Sequence, residues 1–304
     1  METQSSLFHR SCMSTSRWLA LTALVLAPSV FADTFHSREP DLDATLGFIA
    51  EASDPVGSGF GLARMEGAVC FRVHDAPAAM GDYLLQRMAA TAEITGLAVQ
   101  QPGCVPNVDV IFTEDATATA RRLQQQPQLL QPFGSVPGTT QGAQALNDFL
   151  RLPAPVRWWQ TTVQVDWNGD AAMNLPRNDL VANTANTASR LMQDMRDRLL
   201  GSLVLIDVGK LGDTSWDQLA DYVAMVSLVQ IDPQAQLGDY DSILNLFGTA
   251  APPSALTGWD TAYLAALYGI DTHLYPHAQQ GQLANAMLRR LQQDLSPQLA
   301  GSSR

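Results

Sequence analysis

An acidic side chain in the middle of a largely apolar segment is the residue of this chain best placed for chemistry. Asp221 belongs to the run 218–230, whose apolar residues predict a buried helix. Ser215 and Gln218 have the spacing of a capping box and place the start of this helix. A carboxylate there can bind a cation or a basic group, or it can form a structural hydrogen bond to the backbone or to an arginine. The structural use is the commoner one, and the sequence leaves both open.

Two histidines, His273 and His277, are four positions apart, the spacing at which one helix presents a pair of metal ligands. Pro276 lies between them and is expected to interrupt such a helix, so we predict a surface loop without metal that also carries Tyr275. The chain contains no G-x-S-x-G, no Walker loop and no H-E-x-x-H. We therefore assign no catalytic residue, no metal ligand and no cofactor.

Two adjacent tryptophans are the candidate ligand contacts. Trp158 and Trp159 lie in a predicted strand, 156–167, where alternation sends their rings to opposite faces. We expect one ring in the core and one exposed. An exposed ring could contact a glycan or a peptide, although an aromatic core is the usual use of such residues.

The N-terminus has the order of a secretory signal. Two arginines precede an apolar stretch, Trp18–Val30, which ends in Val30-Phe-Ala32 before Asp33. This predicts cleavage after residue 32 and a periplasmic or extracellular mature chain, 33–304. Translation from Met1 or from Met13 fits the signal equally well. No later stretch is long and apolar enough to predict an integral membrane segment.

Cys70 and Cys104 are the cysteines of the predicted mature chain, since Cys12 falls within the signal. In an oxidising compartment two cysteines favour a disulfide over two separate thiols. The formal net charge is −12 and Lys210 is the only lysine, so the chain is expected to repel nucleic acid and anionic lipid and to favour cationic or neutral partners. The expected partner is an unidentified protein, peptide or envelope component.

The periodicity predicts an N-terminal strand–helix–strand subdomain over residues 33–126. Its elements are a strand at Val69–Val73, a helix at Ala78–Ile94, a strand at Asn107–Thr113 and a helix at 115–126 capped by Thr113. A segment rich in proline, glycine and glutamine, 127–141, predicts a linker. The C-terminal subdomain is then 142–304.

The C-terminal subdomain mixes strands and helices. Asn168-Gly169 predicts a tight hairpin turn after the strand 156–167. The other predicted elements are helices at 141–150, 187–200, 215–231, 256–268 and 279–295 and a strand at 202–208. The predicted class is α/β or α+β, with a mixed sheet packed on the central buried helix 215–231.

Three segments of this subdomain together resemble the end of a metzincin-type zinc peptidase domain. They are the buried helix 218–230, the segment Ser242–Phe247 at the place of the Met-turn, and the closing helix Leu256–Gly269. The mature chain also resembles, more broadly, a family of uncharacterised secreted bacterial proteins. The features shared with that family are Gly103–Asn107, Val156–Trp159, Ser189–Leu191, Leu219–Met225 and Trp259-Asp260.

The zinc ligands that the first resemblance implies are absent. Where the peptidases have His-Glu-x-x-His, this chain has Asp221, Tyr222 and Met225. The third ligand position falls near Ile231, and Leu244 replaces the methionine of the turn. We therefore expect a secreted, non-catalytic, peptidase-like binding or envelope domain. The alternatives are a metal-dependent hydrolase using Asp221, His273 and His277, and a purely structural envelope domain.

Overall fold

The computed structural model describes residues 38–53, 61–125, 142–170 and 192–301, with side chains described to residue 294. The predicted signal, 1–32, and the predicted linker, 127–141, lie outside these ranges. The described residues belong to one compact unit, 36–304.

The first half of the chain alternates between strands and helices. In chain order the elements are α1 (Leu42–Ala52), β1 (Arg64–Met65), β2 (Ala68–Val69), β3 (Phe71–His74), α2 (Ala78–Ile94), β4 (Ala98–Val99), β5 (Val108–Thr113) and α3 (Ala116–Gln124). The strand predicted over Val69–Val73 is divided between β2 and β3. Asp115 caps α3, with its carboxylate accepting the Ala118 amide at 2.9 Å, so the predicted cap Thr113 is wrong.

The second half contributes two long strands and then three helices. The elements are α4 (Gly142–Arg151), β6 (Val156–Val165), β7 (Arg196–Asp207), α5 (Trp216–Leu228), α6 (Gly258–Gly269) and α7 (Pro276–Gly301), with 3-10 turns at Val208–Lys210 and Ile243–Asn245. The helix predicted over 187–200 is wrong where the structure describes it, because residues 196–200 begin β7. The helical spacing of Met195 and Leu199 does not make this segment a helix, since strand pairing on both edges of β7 outweighs local periodicity.

The strands of the main sheet are mainly parallel, and the predicted α/β class is confirmed. Its order is β3–β5–β7–β6, with β1 beside the first residues of β7. β3, β5 and β1 are parallel to their neighbours, and β6 is antiparallel to β7. A separate parallel pair joins β2 and β4. Strands from both sides of the predicted linker therefore share one sheet.

The antiparallel partner of β6 is distant in sequence. Val165 lies opposite Arg196, so the immediate return that Asn168-Gly169 predicts is wrong for this pair. The register shifts between Thr161 and Thr162, opposite a bulge in β7. Beside the bulge, a Cβ on Gly201 would lie 2.7 Å from the Asn107 carbonyl oxygen, so only glycine fits at this position of β7.

Helices cover both faces of the sheet. On one face the main core joins the sheet to α1, α2, α5, α6 and α7. On the other face a smaller core lies under α3 and α4 and includes Phe149, Trp159 and Leu203. The predicted central helix is confirmed, since every residue from Leu219 to Leu228 is buried. Among the described residues, no helix combines the length and the apolar character needed to cross a bilayer.

Candidate functional site

The carboxylate that the sequence singles out, Asp221, lies in the first half of α5 and faces α2. The capping box of Ser215 forms as predicted and fixes the start of the helix. The side chain of Asp221 is 2% exposed. Arg87, on α2, donates Nε to Oδ1 at 2.6 Å and Nη2 to Oδ2 at 2.8 Å. One guanidinium therefore binds both carboxylate oxygens in the bidentate geometry that arginine favours.

A backbone amide completes the surroundings of Asp221. The N–H of Leu256, just before α6, donates to Oδ2 at 2.7 Å. The carboxylate thus connects α2, α5 and the entry of α6. Its hydrogen bond to Arg87 is the largest effect on the pKa of that guanidinium and raises it, so the arginine stays cationic. The sequence leaves two uses of Asp221 open, a ligand contact or a structural hydrogen bond. The structure contains the structural bonds, to an arginine and to the backbone.

The outer part of Arg87 faces a second carboxylate at the surface. Its Nη1 lies 3.2 Å from Oδ1 of Asp217, which also accepts the hydroxyl of Tyr83. The side chain of Arg87 is 32% exposed and that of Asp217 is 50% exposed. A pair so open to water contributes little to stability, so the buried contact with Asp221 is the one that matters for folding.

Apolar and aromatic side chains fill the other positions that would carry zinc ligands. Tyr222, Met225 and Ile231 are buried. The ring of Tyr222 packs edge-on against Phe247 at a centroid distance of 5.1 Å, and burial raises the pKa of its phenol. The indole of Trp158 donates to the Ile231 carbonyl at 3.3 Å. None of these side chains is an imidazole, thiolate or carboxylate, the groups that zinc prefers.

Metal-ligating side chains do not gather elsewhere in the described residues either. No three histidine, cysteine, aspartate or glutamate side chains in those ranges come together in a group that could hold a metal ion.

A second buried carboxylate, Asp260, joins α6 to the turn at 242–247. Its Oδ1 accepts the Ser242 hydroxyl at 2.6 Å, and its Oδ2 accepts the Ile243 amide at 2.8 Å. The Thr257 amide donates to Oδ2 at 2.9 Å within the capping box that begins α6. Asp260 is 0% exposed, and in the described chain no cationic side chain pairs with it. Burial raises its pKa to about 6, against hydrogen bonds that lower it.

Trp158 and Trp159 point to opposite faces of β6, and both are buried. Trp158 is 5% exposed in the main core, and Trp159 is 3% exposed in the core under α3 and α4. The expectation that one ring is exposed is wrong, because helices cover both faces of the sheet. Neither ring is open to a glycan or a peptide in this structure.

The histidines lie in a different neighbourhood from Asp221. Nδ1 of His273 is 3.1 Å from a carboxylate oxygen of Asp271, and Nε2 is 3.4 Å from Nη1 of Arg196. The imidazole also stacks on the half-exposed Trp167, with ring centroids 3.9 Å apart. Arg196 in turn forms two 3.0 Å bonds to Glu66. No motif in the sequence marks this cluster, since Arg196 and Glu66 are 130 positions apart.

His277 is not in a loop. Pro276 is the first residue of α7, where its missing N–H and fixed φ suit a helix, so no single helix contains both histidines, as predicted, and only the loop predicted for His277 is wrong. His277 therefore lies in the first turn of α7 while His273 precedes the helix. The structure does not bring the two histidines to Asp221.

The predicted disulfide between Cys70 and Cys104 is confirmed, with Cα atoms 6.1 Å apart. It joins the start of β3 to the loop before β5. Asn107 supports the same junction, because its side-chain oxygen accepts the Cys70 amide at 2.8 Å and its amide nitrogen donates to the Ala68 carbonyl at 3.1 Å. The segment Gly103–Asn107 therefore has a structural use.

Comparison with known proteins adds no relative. No protein-family model matches the chain, and searches of curated proteins and of solved structures found no match.

Proposed function

We propose that this chain is an exported, non-catalytic binding or cell-envelope domain. In this proposal its C-terminal part has the arrangement of a metzincin-type peptidase domain from which the zinc ligands are absent. Residues 33–126 form an N-terminal extension that supplies β3, α2 and β5. With α2 comes Arg87, the residue that neutralises Asp221.

The packing of the three resembling segments supports this proposal. α5 is the first α-helix after β7 and is buried from Leu219 to Leu228. The turn at 242–247 packs against α5 through the contact of Phe247 with Tyr222. Asp260 joins the same turn to α6. The three segments therefore contact one another, which supports reading them as one unit.

The proposal depends mainly on one observation: both carboxylate oxygens of Asp221 already accept hydrogen bonds from the protein. A zinc ligand needs a free lone pair directed at an accessible metal position, and catalysis needs an open coordination site. Both oxygens of Asp221 instead bind Arg87, one of them also binds the Leu256 amide, and the side chain is 2% exposed. In a hydrolase that used Asp221 together with His273, Asp221 would have to give up its bonds to Arg87 and the Leu256 amide, and His273 its contact with Asp271.

Metal content and activity test the non-catalytic part. Protein purified without chelators is measured by elemental analysis and assayed against a mixed peptide library with and without a chelator. We expect zinc well below one equivalent and no chelator-sensitive cleavage, for the wild type and for the matched variants Asp221→Asn and Asp217→Asn alike. Stoichiometric zinc lost in Asp221→Asn but kept in Asp217→Asn, together with chelator-sensitive cleavage, would overturn the proposal.

Export is tested separately by expressing the full chain in a bacterium and fractionating the cells. The disulfide supports export, because such bonds persist in oxidising compartments. We expect protein in the periplasm or medium, with an N-terminal mass that begins at or near Asp33. Uncleaved protein confined to the cytosol would contradict this part of the proposal.

A further inference from the structure

A groove runs along the outer surface between α6 and α7. The larger section has a cavity volume of about 350 Å³, and an adjoining section of about 150 Å³ shares Ala265, Arg290 and Gln293 with it. The floor comes from α6 and is made of small residues, chiefly Ala262, Ala265 and Ala266. The rim comes from α7.

The rim is cationic. Arg289 and Arg290 line the groove and are exposed. Neither guanidinium forms an ion pair or a hydrogen bond with the described residues, although Asp294 lies one helical turn beyond Arg290. By contrast Arg72, Arg87 and Arg196 each bind a carboxylate. Two neighbouring guanidinium groups without a partner among the described residues therefore lie beside a floor of alanines, in a chain of net charge −12.

We propose that this groove binds an acidic peptide segment of a partner protein. Guanidinium groups bind carboxylates in bidentate geometry, so Arg289 and Arg290 suit aspartate or glutamate side chains. From Thr261 to Gly269 the groove extends along eight residue steps of α6, or about 12 Å at 1.5 Å per residue. That length holds about four residues of extended peptide at about 3.3 Å each.

The net charge of the chain opposes an acidic partner at long range but not at contact. At physiological ionic strength the screening length is about 8 Å, so distant carboxylates act weakly on a ligand that lies against the two arginines. The local charge of the groove then decides binding. This proposal rests on the proposed binding function and adds to it a surface and a class of partner. Its test does not depend on the metal and activity measurements.

The test is a fluorescence-anisotropy titration of a fluorescein-labelled peptide of alternating alanine and glutamate, at about 0.15 M salt. We expect saturable binding to the wild type and at least a tenfold weaker affinity for Arg289→Glu/Arg290→Glu. The matched control is Arg121→Glu/Arg122→Glu on α3, which makes the same change of net charge at another exposed pair of arginines. That variant should bind within twofold of the wild type.

A second variant tests the floor without changing charge. Ala265→Leu fills the groove and should weaken binding of the same peptide at least fivefold. Because Ala265 is 9% exposed, the variant's unfolding midpoint is measured beside the affinity to show that the variant is folded. Absence of saturable binding to the wild type, or an equal loss in both arginine double variants, would overturn the proposal. Self-association of the chain that disappears in Arg289→Glu/Arg290→Glu, without peptide binding, would assign the groove to a second copy and also overturn it.

Discussion

Two aspartates on consecutive helices are buried equally well but are stabilised in different ways. Asp221, on α5, is 2% exposed and forms a bidentate ion pair with Arg87. Asp260, on α6, is 0% exposed, and within the described ranges its hydrogen-bond donors are neutral groups of Ser242, Ile243 and Thr257. The comparison teaches that a buried carboxylate can be held by an arginine as an internal crosslink, or by neutral donors alone, in which case burial raises its pKa, as it does for Asp260.

Removal of the arginine should have the largest effect. Arg87→Leu leaves the Asp221 carboxylate buried without a cation, which costs about 3–5 kcal/mol of the free energy of unfolding. Urea unfolding at pH 7 measures it. The matched control is Arg72→Leu, because the Arg72 side chain is 52% exposed in its pair with Asp109 and such pairs contribute at most about 1 kcal/mol. Equal losses in the two variants would refute the difference between the buried and the surface pair.

The second largest effect is the change with pH that Asp260 causes in the free energy of unfolding. Its folded pKa is about 6, above the unfolded value of about 3.9, so the folded state holds the proton more tightly. The resulting stability is present below about pH 4 and is lost as pH rises through about 6, by up to about 3 kcal/mol. The Ser242 hydroxyl can accept a hydrogen bond from the protonated carboxyl, because a hydroxyl both donates and accepts.

Asp260→Asn measures this effect, since an amide stays neutral at every pH. Unfolding curves of the wild type and of Asp260→Asn are compared between pH 4 and pH 7. The variant should be less stable than the wild type at pH 4, and the difference should shrink by about 2–3 kcal/mol by pH 7. A difference that is constant across this range would show that Asp260 does not titrate there.

The smallest effect is expected at the surface carboxylate beside the buried pair. Asp217→Asn removes a charge from a side chain that is 50% exposed, so the free energy of unfolding should change by less than about 1 kcal/mol. The same urea titration checks it at low and at high salt. A loss as large as that of Arg87→Leu would mean that the outer carboxylate, and not Asp221, holds the arginine.

Local patterns in the sequence predict local structure well. The α2 bounds, the Ser215 capping box and the burial of α5 agree with prediction, because periodicity and capping are properties of neighbouring residues. The disulfide was also predictable, since the cysteine count and the predicted signal cleavage left a single pair.

Contacts between distant residues were not predictable from one sequence. Arg87 is 134 positions from Asp221, and no spacing links them. Strand alternation placed Trp158 and Trp159 on opposite faces, but it does not say that α3 and α4 cover the second face. Helical spacing before Leu199 was overridden by the pairing of β7 on both edges. The missed features therefore depend on tertiary packing.

The most direct test of the central claim, that Asp221 is an internal crosslink and not a ligand, is a double-mutant cycle. Unfolding free energies are measured for Arg87→Leu, Asp221→Leu and the double variant. We expect the double variant to lie within about 2 kcal/mol of the wild type and above Arg87→Leu, because removing both charges removes the uncompensated one. A double variant that loses the sum of the two single losses would contradict the claim.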